Sequence, residues 1–139
     1  MLIEIQKIYI ASSSFFENMM KVLVIEDEED IAQAEKLILQ DEYKVFMAHT
    51  GNEGLAMAEK IRPDVIILDI MLPHMSGYEI CQKIRDNKNL SNTKIIMVTS
   101  KGEQADEDIG LDLGADDYVM KPFEPEELLH VIKQVLKKK

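Results

Sequence analysis

Cysteine is almost absent: Cys81 stands alone among 139 residues. A single thiol excludes an intramolecular disulfide and fits a reducing compartment. Set in "EICQKIR" between Ile80 and Ile84, it reads as a buried structural thiol. Histidine is sparse too. His49, His74 and His130 show no metal-ligand spacing to one another or to Cys81, which argues against a zinc site. Positive charge is in short supply, with 16 Lys+Arg against 26 Asp+Glu and a net charge of -10. Broad electrostatic attachment to nucleic acid or to an anionic membrane surface is therefore disfavoured. Long apolar runs are missing as well. The opening "MLIEIQKIYIASSSFFENMM" is broken by Glu4, Gln6 and Lys7, and falls far short of the ~18 apolar residues a membrane span needs. It has no clear small-residue cleavage site for a secretory signal. Met20-Lys21 then opens a new apolar run. Residues 1–20 are read as an N-terminal extension of unclear role, with 1–19 either dispensable or an added strand or helix, ahead of a single domain over 21–139.

What is present is an ordinary globular composition, 46% hydrophobic and 30% charged, at a size that buries one substantial core. Short β-branched runs stand at "KVLVIE" (21–26), "KVFMA" (44–48), "DVIILD" (64–69), "KIIMVT" (94–99) and "DYVM" (117–120). Between them lie helical periodicities, such as Ile31, Ala34, Leu37 and Ile38, or Leu55, Ala58 and Ile61. The last, "PEELLHVIKQVLKK", places acids in its first turn and lysines in its last, as the helix dipole favours. Five strands alternating with five helices predict a doubly wound α/β fold. Its parallel sheet is covered on both faces, in the flavodoxin-like order 2-1-3-4-5. In that order ligands sit beyond the carboxyl ends of strands one and three, where the winding reverses.

The strand ends carry the chemistry. Strand one ends in "EDEED" with Glu26 and Asp27, and strand three ends in Asp69, followed by "IMLPHMSG". Strand four ends in Thr99-Ser100-Lys101, and strand five in "YVMKPF" with Lys121 before Pro122. Taken singly, an acid at a strand end is a turn former or a helix cap, and Lys-Pro is a turn. Here four such bland explanations would all have to fall on one edge. Three carboxylates there repel one another, by about 4 kcal/mol per pair at ~4 Å and an effective dielectric near 20. Oxygen donors without nearby His or Cys suit a hard ion that keeps its waters, and Mg²⁺ is the natural choice. A divalent ion and a lysine around one carboxylate suit a phosphoryl group, which Asp can accept as an acyl phosphate.

In order and spacing, Glu26-Asp27, Asp69, Thr99 and Lys121-Pro122 resemble the site of two-component response-regulator receiver domains. "DIMLPHMSG" and "GADDYVMKPF" are similar to that family's signature segments, and the resemblance covers Lys21 to about Lys137. It implies Asp69 as phosphoacceptor. It also implies Mg²⁺ held by Asp27, by Glu26 through water, by Asp69 and by the main-chain carbonyl of Met71. Lys121 would bind the phosphoryl oxygens, and Thr99 and Tyr118 would act as switch residues. A cis peptide before Pro122 is implied, with Pro73 and Gly77 shaping the loop after Asp69. The implied partners are a sensor histidine kinase or histidine phosphotransfer protein and a downstream protein target. The setting is cytoplasmic, without direct nucleic-acid or membrane binding. Catalysis would be limited to the protein's own phosphorylation and dephosphorylation, with output through the face of the fourth helix, fifth strand and fifth helix.

Receivers of winged-helix regulators commonly carry basic residues on that face. Here Glu107, Glu126 and Val131 stand where bases are expected, among Asp106, Asp108, Asp112 and Asp116. Like charges oppose a twofold. A stand-alone receiver, monomeric or weakly dimeric on phosphorylation, is expected; the alternative is a truncated receiver of a DNA-binding regulator. No Walker-type glycine loop is present, which argues against ATP as direct donor. An Asp-nucleophile phosphohydrolase would want a second acid where Met71 stands, and a flavodoxin would want a phosphate loop where "EDEED" stands.

Overall fold

Val65–Asp69 is buried along its whole length, as a strand covered on both faces must be, and it forms the centre of the sheet. The structure, a computed structural model, describes residues 4–5, 18–100 and 113–138. In chain order the elements are β1 (Lys21–Ile25), α1 (Glu29–Leu39), β2 (Lys44–Ala48), α2 (Gly51–Ile61), β3 (Val65–Asp69) and α3 (Gly77–Arg85). A 3-10 turn (Lys88–Leu90) follows, then β4 (Lys94–Ser100), β5 (Asp117–Lys121) and α4 (Pro125–Lys137). All strand pairs are parallel and the sheet order is β2-β1-β3-β4-β5. The predicted strands thus stand within a residue at each end. Four of the five expected helices lie among the described residues. The other, with Lys101, Gly102, Asp106, Glu107, Asp108 and Asp112, lies outside them, as does most of the 1–20 extension.

Alternation along the strands divides the core in two. Leu23, Ile25, Ile66 and Leu68 point to one face, where Ala58 of α2 and Ile80, Cys81 and Ile84 of α3 cover them. Val22, Val24, Val65 and Ile67 point to the other, against Leu39 of α1 and Leu128, Ile132 and Val135 of α4. Each fully buried aliphatic side chain contributes roughly 1.5–3 kcal/mol, so these two layers fix the sheet and with it the positions of its ends. Cys81 is fully buried, as expected of a structural thiol, and burial pushes its pKa up.

Two expectations are corrected. The inward face of α1 is Ala32, Glu35 and Leu39, while Ala34 and Leu37 are exposed, Leu37 by 66%. The helix is turned about one position from the face that Ile31, Ala34, Leu37 and Ile38 suggested, and the buried carboxyl of Glu35 hid the true phase. Asp116 does not join an acidic outer face. Its Oδ2 accepts from Arg85 Nη2 at 2.8 Å and from the Ile95 N–H at 2.8 Å. Arg85 also donates to the carbonyls of Gly114 and Thr93, both at 2.7 Å, and so ties the lead into β5 to the start of β4. This clamp lies at the end of the sheet opposite the strand ends that carry the acids.

Candidate functional site

The register of the sheet determines which strand ends meet. Ile25 lies opposite Leu68, Asp69 opposite Val98, and Ser100 opposite Lys121. Glu26, Asp69, Thr99 and Lys121 therefore emerge on one edge, with Asp27 one residue beyond. One carboxylate oxygen each from Glu26, Asp27 and Asp69 lies within 4.8 Å of the others. Lys121 Nζ bridges the cluster, donating to Glu26 Oε1 at 2.7 Å and to Asp69 Oδ2 at 3.2 Å. The sequence-predicted site residues are thus brought together. Their burial differs sharply, since Glu26 and Asp69 are buried and Asp27 is exposed.

Asp69 is aimed by its own loop. The Met71 N–H donates to Asp69 Oδ1 at 2.9 Å, so among the described residues Met71 serves Oδ1 and Lys121 serves Oδ2. Met71 is 63% exposed. The chain then returns to pack on itself. Gly77 N–H donates to the Ile70 carbonyl at 2.9 Å, and a Cβ on Gly77 would stand 2.5 Å from the Asp69 carbonyl oxygen. Only glycine admits that approach of α3 to the end of β3. Across the site the Lys121–Pro122 peptide is cis, as the resemblance implied.

Electrostatics follow from burial. Burial pushes the Glu26 carboxyl up to about 7; the Lys121 hydrogen bond pulls it down, and the neighbouring Asp69 raises it further. For Lys121, burial lowers the pKa, but the Glu26 hydrogen bond and the Asp69 charge outweigh it, so the ammonium is held above its ordinary value. A lysine shared between two acids still leaves an excess of negative charge at the rim, and an all-oxygen donor set with one exposed member fits a hard divalent cation. Among the described residues no other cluster of His, Cys, Asp and Glu has this spacing.

Of the switch candidates, Thr99 lies near the end of β4 and Tyr118 near the start of β5. Thr99 is 1% exposed, and its hydroxyl lies 3.5 Å from the Ser100 carbonyl. Tyr118 is half-buried against the layer that α2 and α3 cover. Two residues near the site have contacts that the sequence pattern does not signal. His49 follows β2, and its ring Nδ1 lies 3.0 Å from the Glu26 main-chain oxygen. Glu35 is 2% exposed on the inner face of α1, with Oε2 unpartnered among the described residues. Its carboxyl is raised to about 8, chiefly by burial and then by the charge of Glu26.

A family model described as the response regulator receiver domain matches residues 22–133. Among curated proteins, response regulator ArlR of Staphylococcus saprophyticus is 44% identical over 121 residues, 86% of this chain and 54% of its own length. The chain spans about half the length of the curated relatives it matches. Among solved structures, a putative response regulator from Chloroflexus aurantiacus superposes with a TM-score of 0.83 at 33% identity, over 87% of this chain and 100% of that one. The receiver domain of sensor histidine kinase PA1611 from Pseudomonas aeruginosa gives 0.79 at 28%, over 86% of this chain and 99% of that one. Its crystal structure has magnesium coordinated in the active-site cleft.

Proposed function

The chain belongs to the response-regulator receiver domains of two-component signalling, and from that premise we propose that it is a switch set by a phosphoryl group on Asp69. The observation that carries the reading is Lys121 Nζ, held between Glu26 and Asp69 with Asp27 in reach of the same centre. In this reading residues 21–139 are the working unit. The donor is a phosphohistidine on a sensor kinase or a phosphotransfer protein, and the setting is cytoplasmic.

Asp69 supplies a carboxylate oxygen to phosphorus as the bond from phosphorus to the donor histidine nitrogen breaks. The imidazole leaves with the electron pair, and the product is an acyl phosphate. Asp27, Asp69 and the main-chain carbonyl of Met71 would hold Mg²⁺, and Glu26 would act on it through water. When bound, that ion supplies fixed positive charge against the phosphoryl oxygens. Lys121, already 3.2 Å from Asp69, exchanges that contact for a phosphoryl oxygen and keeps Glu26 as its anchor at 2.7 Å. The Thr99 hydroxyl turns to the phosphoryl group, and Tyr118 moves inward behind it. About two added negative charges bias an existing equilibrium rather than build a new fold. The protein acts only on its own phosphoryl group, and the output is a changed affinity for a downstream protein. A second reading, a receiver working within a DNA-binding transcriptional regulator, is favoured by the half-length match to the curated relatives.

Incubation with acetyl phosphate tests the proposal. Intact-mass spectrometry is expected to show the increment of a single phosphoryl group with Mg²⁺, and none after chelation by EDTA. A chain that gains no phosphoryl group at any Mg²⁺ concentration, or gains it equally with EDTA, contradicts the reading.

A further inference from the structure

His49 stands one residue past the end of β2, where the parallel ladder with β1 runs out. The last rung is the Glu26 N–H on the Ala48 carbonyl, at 3.0 Å. Thereafter the chain turns into α2, and among the described residues no main-chain N–H meets the Glu26 carbonyl. The ring takes that place, with Nδ1 3.0 Å from the Glu26 oxygen and Nε2 3.0 Å from Glu29 Oε2. The carbonyl belongs to the peptide that joins Glu26 to Asp27, two of the three clustered acids. The ring is itself supported by the start of α2. The His49 N–H points at Glu53 Oε2 at 3.5 Å, and the Thr50 hydroxyl caps the helix by accepting the Glu53 N–H at 3.1 Å.

From this chain of contacts we propose that His49 is a positioning residue for the cation site. With its Nδ1–H donated to the Glu26 carbonyl, it fixes the plane of the peptide between Glu26 and Asp27. Its two contacts differ in worth. The pair with Glu29 is between side chains 38% and 61% exposed, and such surface pairs contribute little. The bond to the Glu26 carbonyl holds the backbone that aims two metal-directed acids. Partners of that kind alter metal affinity by about 10- to 100-fold when removed. Without the ring the carbonyl turns to water and the peptide rotates. The exposed Asp27 loses its aim while the buried Glu26 keeps Lys121.

The inference rests on the Mg²⁺ reading above, and the test separates the two. Amide chemical shifts are followed during MgCl₂ titration of the folded parent and of His49→Ala, His49→Asn and His49→Gln. His49→Ala is expected to weaken Mg²⁺ by about tenfold. His49→Asn, whose side-chain amide nitrogen can occupy the place of Nδ1, is expected to regain most of that loss. His49→Gln, whose nitrogen overlies Nε2, is expected to stay weak. A parent that shows no saturable Mg²⁺ binding overturns the Mg²⁺ reading itself. A parent that binds while His49→Ala binds within about twofold of it overturns only the role of His49. Equal weakening in all three variants together with lowered thermal midpoints also overturns it, since the ring then supports the fold rather than the site.

Discussion

Protein carrying Asp69→Asn is expected to take up no acid-labile phosphoryl group from acetyl phosphate and Mg²⁺, under conditions that label the parent. The fall is at least about a hundredfold, well within what loss of a nucleophile costs. An amide carries no negative charge and is a far weaker nucleophile than a carboxylate. The substitution is close to isosteric, so the fold is expected to hold. The amide oxygen can still accept the Met71 N–H, now bonded to Oδ1 at 2.9 Å, and Lys121 keeps Glu26 at 2.7 Å. An unchanged thermal midpoint beside a lost label therefore assigns the loss to chemistry. Label retained at the parental rate would place the phosphoryl group elsewhere and remove Asp69 from its proposed role.

Replacing Glu35 by Leu is expected to stabilise the protein at neutral pH. The carboxyl is 2% exposed, lies between Ala32 and Leu39 on the inner face of α1, and leaves Oε2 without a partner among the described residues. Its pKa is about 8 in the folded protein against an ordinary 4.5, so the folded state holds the proton more tightly than the unfolded one. Stability is then fully present below the unfolded value and is lost as pH rises through the folded one. Each pH unit between them costs about 1.4 kcal/mol, which amounts to roughly 3 kcal/mol by pH 7. Glu35→Leu removes that slope, and exchanging an unpaired buried carboxyl for an apolar group of similar size is otherwise favourable. Urea denaturation of both proteins is expected to show a stability gap that widens by roughly 3 kcal/mol between about pH 4.5 and pH 7. A gap that stays constant with pH, or a variant less stable than the parent at pH 7, contradicts the account of Glu35.

Glu35 also shows where the sequence was opaque. The apolar residues of α1 were legible, but Ile31, Ala34, Leu37 and Ile38 trace a face that includes the 66% exposed Leu37. Periodicity counts hydrophobic residues, and a carboxyl occupying a core position carries no signal of that kind. The strands read more easily because β3 and its neighbours have both faces covered. Near-continuous β-branched runs follow from that, and their ends then fall at polar residues. The acids, Thr99 and Lys121 were legible for the same reason: each ends an apolar run. His49 ends one too, after "KVFMA", but a lone histidine has no partner visible in the sequence. Its contact with Glu26 spans 23 positions and depends on the β1–β2 register. Asp116 misled in the opposite direction. Among the acids of "GADDYVM" nothing marks the one that turns inward to Arg85, 31 residues away.

In the proposed function residues 27, 69 and 121 share one cation and one phosphoryl group, and a crystal structure grown with Mg²⁺ and beryllofluoride measures that directly. The expected density joins beryllofluoride to a carboxylate oxygen of Asp69. Lys121 Nζ and the Thr99 hydroxyl should lie on its fluorines, and the ion should be bound by Asp27, Asp69 and the Met71 carbonyl. Beryllofluoride on another residue, or a cation bound away from Asp27 and Asp69, would contradict it.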